Sequence, residues 1–456
     1  MRRTFLLYSG LAGVSAGLFL VVRAVGEGIQ APAGAVAALP LGGEAGVSAL
    51  FRALLVLTVI IVTARIVGEV FRSIGQPAVI GEVIGGILLG PSFLGVVAPG
   101  LLARLLPAEV TPFVSLHAQL GIILYMFLIG LELDLSRVRK TGPATLAISH
   151  ASIAAPFVLG AALSLVLYPR LSSADVPFTV FALFIGTSLS VTAFPVLARI
   201  LTDLRISRSP MGMVALTCAA VDDVTAWCLL ALVVGIARSD TASAARTFGL
   251  TVVFVIVMLW LVAPIVRRFV AGQEETGEVT QGTLAAILVG LLAAAMTTEF
   301  IGIHGFFGAF LFGALVPHES RLASNLNRRL GDFVGVLFLP AFFAFTGMRT
   351  EIGLISGAAD WVLCGGIVLV ACAGKFGGAL LAARWSGLQW RDSAALGALM
   401  NTRGMVELIV LNIGLDLGVI SPRLFTMLVI MALATTLMTT PIVRRLLKDT
   451  PWVEES

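Results

Sequence analysis

Three features predict an all-α polytopic membrane protein with 13–14 transmembrane helices, built as two inverted repeats with crossed discontinuous helices. The 456 residues are 58% hydrophobic and only 12% charged, with 48 glycines, and the mean hydropathy is +1.02; no water-soluble core of this size requires such a composition. Apolar stretches of spanning length recur along the whole chain. Short similar motifs recur in the same order in its two halves.

In chain order, the first apolar segment, at about 5–23, follows the basic start "MRRTF" and precedes the small residues of "APAGAVAAL". Residues 1–48 therefore read as an N-terminal helix and linker or as a signal peptide, and the length of the apolar run favours the retained helix. Spanning segments follow at about 49–71, 78–95, 112–133, 145–168, 176–200 and 211–236. A linker at 237–280 holds one more, at about 246–266. Six further segments lie at about 281–298, 302–317, 330–347, 361–384, 392–416 and 422–443, before a tail at 447–456. The loops are too short to hold a soluble domain.

Orientation follows from Lys and Arg. Alternate loops carry Arg65 and Arg72, then Arg137, Arg139 and Lys140, then Arg199, Arg205 and Arg208, and so on to Arg444, Arg445 and Lys448. Those loops are expected to be cytoplasmic, in a bacterial-type inner or plasma membrane, with both chain ends inside if the first helix is retained. Basic residues are spread over these loops rather than gathered, and the net charge is only +4, so nucleic acid is not an expected partner. Cys218, Cys228, Cys364 and Cys372 lie in apolar runs without metal-ligand spacing and read as packing residues. No cofactor is expected.

The internal similarities are "GGILLGP" (85–91) with "GAFLFGALVP" (308–317), "MFLIGLELDL" (126–135) with "FFAFTGMRTEIGL" (342–354), and "VLARILTDL" (196–204) with "IVLNIGLDL" (409–417). Copies stand seven spans apart, and an odd number of spans inverts the second. The expected repeats are 49–236 and 281–446.

Within this apolar frame, ionisable groups single themselves out. Asp222 and Asp223, in "AAVDDVTAW", fall near the middle of a predicted helix, where each ionised side chain costs at least about 2.5 kcal/mol. Lys375 is the only lysine inside a spanning segment and is the natural counter-charge for one of them. "GTSLSVTAFPVLARIL" has a run of hydroxyls, Ser190 and Thr192 among them, followed by Pro195, and "LMNTRGMVELIVLN" holds Asn401, Thr402, Arg403, Gly404 and Glu407 at equivalent depth. Both are expected to break, presenting free carbonyls to a cation and half-helix dipoles to compensating charges. Plainer readings attach to the others. Glu82, Glu132 and Glu299 lie toward segment ends and are expected at the interface, His304 borders a loop, and Arg403 with Glu407 has the spacing of a helical ion pair.

Six ordered motifs, "GEVIGGILLGPSFLG", "MFLIGLELDL", "SVTAFPVLARIL", "AAVDDVTAW", "FLPAFFAFTGMRTEI" and "LMNTRGMVELIVLNIGL", resemble the second branch of monovalent cation:proton antiporters: bacterial sodium/proton antiporters, Kef-type potassium efflux systems, and plant and fungal cation/proton exchangers. The resemblance covers about 49–446. It implies the sodium/proton antiporter fold, a homodimer in the lipid bilayer with a dimerisation domain and a moving core, and elevator-type alternating access. It further implies that Asp223 binds the ion, that Asp222 beside it marks an electrogenic member, and that Lys375 pairs with Asp222.

Exchange of Na⁺ or K⁺ for protons is then the expected function, with no enzymatic activity. The expected site has Asp223 holding the dehydrated cation with hydroxyls near Ser190 and Thr192, while Asp222 holds Lys375 and releases it on ion binding. Plant exchangers often carry Asn-Asp where this chain has Asp-Asp, so their potassium preference does not transfer. The Kef systems' cytosolic nucleotide-binding domain has no counterpart in this sequence. A sodium-coupled symporter of an organic anion on a related fold is the main alternative. A passive channel and an intramembrane aspartyl protease are weaker ones, because neighbouring acids on one helix diverge by about 100°.

Overall fold

The computed structural model describes residues 49–107, 109–132, 143–173, 175–207, 209–237, 241–276 and 280–448. The segment at 5–23, the basic cluster at 137–140 and the end of the tail lie outside them. The described residues fold into helices: α1 (Ala49–Ser73), α2 (Ala78–Leu89), α3 (Thr111–Glu132), α4 (Pro143–Leu171), α5 (Phe178–Ser190), α6 (Phe194–Asp203), α7 (Pro210–Ala237), α8 (Thr241–Val257), α9 (Ala263–Thr276), α10 (Gln281–Ile301), α11 (Gly305–Leu315), α12 (Arg321–Phe333), α13 (Leu339–Met348), α14 (Ala358–Trp385), α15 (Trp390–Met400), α16 (Met405–Asp416) and α17 (Pro422–Leu447). Eleven helical stretches of the described residues are long and apolar enough to cross a membrane, α5 with α6, α8 with α9 and α12 with α13 each forming one, and the bent pair α15 and α16 makes a twelfth.

Local chemistry sets the boundaries. Hydroxyl caps open α10, α12 and α17, where Thr280, Ser320 and Ser421 accept from the amides of Thr283, Ala323 and Leu424. Two helices slip into single π turns, Met258–Val262 between α8 and α9 and Val334–Phe338 between α12 and α13. Each π turn ends two residues before a proline, Pro264 or Pro340. A proline cannot donate to the carbonyl four residues back, and that carbonyl lies inside the π turn in both cases.

The expected span at 302–317 needs correction. α10 ends at Gly302, left-handed at φ 101°, and His304 follows at φ 70°. Three residues of the apolar run are thus used in a tight connection, and Val316, extended, closes the other end. The 11 residues of α11 cover roughly 16 Å, about half of a hydrocarbon core. Hydropathy counted the turn as helix because its residues are apolar. Glu82 also departs from expectation: it is buried in α2 rather than placed at an interface.

The helices pack as two bundles that interleave the two halves of the chain. In the first, α2 lies against α13, and α3 against α11. Both contacts are backbone to backbone: a Cβ on Gly86 would stand 2.4 Å from the Ala344 carbonyl oxygen, and one on Gly130 would stand 2.3 Å from that of Phe310. The motifs that resemble each other in the sequence therefore exchange partners, 85–91 packing on 342–348 and 126–131 on 309–314. In the second bundle α4 lies along α14, with α5, α7, α15 and α17 around them.

Candidate ion-binding site

The second bundle contains both broken helices. α5 stops at Ser190, Val191 and Ala193 are extended, and α6 restarts at Phe194 with Pro195 in its first turn, where a missing N–H is harmless. The second break, 401–404, separates α15 from α16, which differ in direction by 44°. Gly404 is required here by space, since a Cβ would stand 2.6 Å from the Val196 side chain. The breaks meet directly, the Ala193 N–H donating to the Thr402 carbonyl at 3.0 Å.

A helix that stops inside a protein leaves its last carbonyls without amide partners. Here two cations take them. The Arg403 guanidinium donates to the carbonyls of Ser188 at 3.0 Å and Leu189 at 2.6 Å, and Lys375 Nζ to that of Ser190 at 2.5 Å. The expectation that free carbonyls at this break face a transported cation is therefore not met at residues 188–190. Each cation also has its own anion. Arg403 lies 2.9 Å from Glu407 and Lys375 lies 2.9 Å from Asp222, all four side chains fully buried. The Arg403–Glu407 pair is not a pair along one helix: Arg403 sits in the break, its backbone held on both sides by Thr436 of α17, and Glu407 lies in the first turn of α16.

Asp222 is enclosed by donors. Ser149 Oγ lies 2.7 Å from its Oδ1, while Ser152 Oγ and Thr192 Oγ1 each lie 2.7 Å from its Oδ2, the atom that also accepts from Lys375. Ser152 has a second acceptor in the Ser149 carbonyl at 2.8 Å, so its single proton is shared between two choices. Ser149 and Ser152 were not singled out from the sequence. Their spacing of three within "SHASIAAP" puts both on one face of α4, and that hydroxyl pair in an apolar helix was the available signal.

Asp223, the next residue, is placed oppositely. About 100° of helical rotation turns it from α4 toward the crossing, where the Phe194 amide at the start of α6 reaches its carboxyl. It is 2% exposed, yet its Oδ1 has no hydrogen-bond partner and it forms no ion pair among the described residues. Two other oxygens in the second break share that condition, Thr402 Oγ1 and Asn401 Oδ1. With two cations matched by two anions, Asp223 is the acid left without a fixed counter-charge. A carboxylate with neutral oxygens is a donor set for hard cations.

The residues named from sequence thus converge, with roles redistributed. Thr192 serves Asp222 rather than Asp223. The Ser190 hydroxyl donates to the Gly186 or Ile153 carbonyl and reaches neither acid; its contribution is the carbonyl on Lys375. Thr402 lies beside the crossing, and Arg403 and Glu407 hold the break together. Glu132 and Glu299 are exposed and apart from this cluster. Ser188, whose hydroxyl lies 2.7 Å from Glu407, and Thr436 complete the polar core.

Residues 53–449 match the transmembrane region of the sodium/hydrogen exchanger family. The chain is 44% identical over 387 residues to the Na⁺/H⁺ antiporter NhaS4 of Synechocystis, covering 84% of this chain and 94% of that one. It is 39% identical over 412 residues to cation/H⁺ antiporter 20 of Arabidopsis thaliana (87% of this chain, 49% of that one). Over 409 residues it is 33% identical to K⁺/H⁺ antiporter 1 of Saccharomyces cerevisiae (88% and 46%). It therefore spans most of the cyanobacterial relative and about half the length of the plant and yeast ones. Among solved structures, the sodium proton antiporter MjNhaP1 of Methanocaldococcus jannaschii shares the fold, with a TM-score of 0.59 over 89% of this chain and 99% of that one at 14% identity.

Proposed function

Because the chain belongs to the sodium/hydrogen exchanger family, whose members are cation:proton antiporters, we propose that it exchanges Na⁺ or K⁺ for protons across the plasma membrane, with Asp223 as the seat that cation and proton occupy by turns. The observation that carries this reading is the charge balance of the site. Lys375 and Arg403 are matched by Asp222 and Glu407, and of the three acids of the site Asp223 is the one that forms no ion pair among the described residues. An uncompensated carboxylate in such surroundings is costly, so Asp223 crosses the membrane only when neutralised. Either H⁺ or an alkali cation serves, and they exclude each other.

Asp222 and Lys375 make the exchange electrogenic. If Lys375 gives up its proton when the cation binds, the cycle moves more protons than cations, and each unbalanced charge is worth about 2.3 kcal/mol per 100 mV. Alternating access arises as an elevator movement of the second bundle, which holds the whole site, against the first. The reciprocal pairing of α2 with α13 and α3 with α11 supports an inverted-repeat plan for the first bundle. A homodimer built through the first bundle belongs to the same reading.

Proteoliposomes carrying a proton gradient test it. Addition of Na⁺, K⁺ or Li⁺ should release the gradient, the apparent KM for the effective cation should rise as pH falls, and an imposed voltage should change the rate. A gradient that none of the three cations discharges would exclude the exchange; a rate indifferent to voltage would exclude only the electrogenic part.

A further inference from the structure

The two bundles are held internally and joined to each other by different kinds of contact. α13 is fixed in the first bundle by Gly347, where a Cβ would stand 2.3 Å from the Val83 carbonyl of α2. α16 is fixed in the second by Gly414, where a Cβ would stand 2.1 Å from the Phe184 ring of α5. Such contacts leave no room for sliding. Between α13 and α16, which also share apolar packing through Phe342 and Ile409, polar side chains make direct bridges. Asn412 donates from Nδ2 to Thr346 Oγ1 at 2.8 Å and accepts at Oδ1 from Arg349 at 2.9 Å. The same guanidinium reaches Asp416 at 2.5 Å, and its Cζ lies over the Phe345 ring, 5.3 Å from the centroid.

The spacing is what a clasp between two helices requires. Thr346 and Arg349 are three apart, and Asn412 and Asp416 four apart, so each pair occupies one face. Thr346 and Asn412 are buried, while Arg349 and Asp416 lie at the rim. All but Thr346 line a cleft of about 120 Å³ between the bundles, which opens on the face where the loops carry few Lys and Arg. α16 begins at the break that holds Arg403 and Glu407, so displacement of α16 displaces the ion site.

We propose that Thr346 and Arg349 with Asn412 and Asp416 form an inter-bundle clasp that stabilises the state seen here and must open in every transport cycle, making them positioning residues for the exchange. This rests on the antiport reading, with the sidedness taken from the loop charges. Weakening the clasp shifts the population away from this state, and the apparent affinity on each face follows the fraction of protein open to that face.

In oriented proteoliposomes, R349Q and N412A should shift the cation KM about threefold to tenfold in opposite directions on the two faces. The exchange R349D/D416R should bring both values back toward wild type. KM values that stay unchanged, or that move in the same direction on both faces, overturn the clasp. For protection against folding defects, T346C/N412C in a background without other cysteines is bridged by a short bis-methanethiosulfonate, which forms one disulfide to each cysteine and releases methanesulfinate. Transport should stop on bridging and return on reduction; transport that continues in the bridged protein overturns the proposal. Loss of exchange in the wild type, by contrast, would refute the antiport reading itself.

Discussion

Asp222 and Asp223 are consecutive residues of α7 with the same chemistry and nearly the same burial, yet their surroundings differ in kind. The first has three hydroxyls and a lysine around its two oxygens; the second has one backbone amide and an oxygen with no partner. A carboxylate whose acceptor sites are filled by its own protein is part of the structure. One with an empty site is available to a ligand. The comparison teaches that position in the sequence, and even depth in the membrane, does not separate an architectural acid from an exchanging one. The donors around it do.

The comparison can be broken by substitution. Asp223→Asn should reduce cation-dependent proton flux to the level of protein-free liposomes without lowering the melting temperature, because no ion pair is lost. An unchanged flux would end the assignment of Asp223. Asp222→Asn should do the reverse in stability: it leaves Lys375 buried without its anion, a loss of about 3–5 kcal/mol, read as a clear fall in melting temperature. The double replacement D222N/K375M should recover most of that loss. Equal melting temperatures for D222N and D223N would erase the distinction drawn between the two acids.

Finer substitutions sharpen it. Thr402→Val removes an unpartnered hydroxyl beside the crossing, and a single cation ligand worth about 1 kcal/mol should raise the cation KM about fivefold at unchanged melting temperature. Ser149→Ala should cost about 1 kcal/mol of stability through one lost hydrogen bond to Asp222. Ser152→Ala should cost less, because its proton has a close second acceptor in the Ser149 carbonyl at 2.8 Å, whereas that of Ser149 is the Cys218 carbonyl at 3.5 Å. A larger effect at Ser152 than at Ser149 would show that its proton is committed to Asp222.

Much of the fold was legible because hydropathy is a local property: from 49 onward each apolar segment corresponds to a helix or helix pair. The exception, 302–317, failed where glycine and histidine with positive φ turned apolar residues into a connection. The site was legible as a set of residues. Acids, a lysine and an arginine at membrane depth announce themselves by their cost, and Pro195 announces the first break. Their partners were not legible. Ser190 was expected to offer a hydroxyl and offers a carbonyl; Thr192 was expected at Asp223 and serves Asp222; Arg403 was expected in a broken segment, and lies there, but the carbonyls of α5 that it covers could not be foreseen.

What the sequence by itself determined is the order of the apolar segments from 49 onward, the place of Asp222, Asp223 and Lys375 within them, and the two segments unable to stay helical. Each of these depends on composition within a few turns of chain. What only the tertiary structure decided is which acid is filled and which is left open, which carbonyls the two cations cover, and how α13 is clasped to α16. Those outcomes join residues from tens to more than two hundred positions apart, and they depend on the rotation of each helix about its own axis. One residue turns a side chain by about 100°, and packing alone sets where that rotation stops.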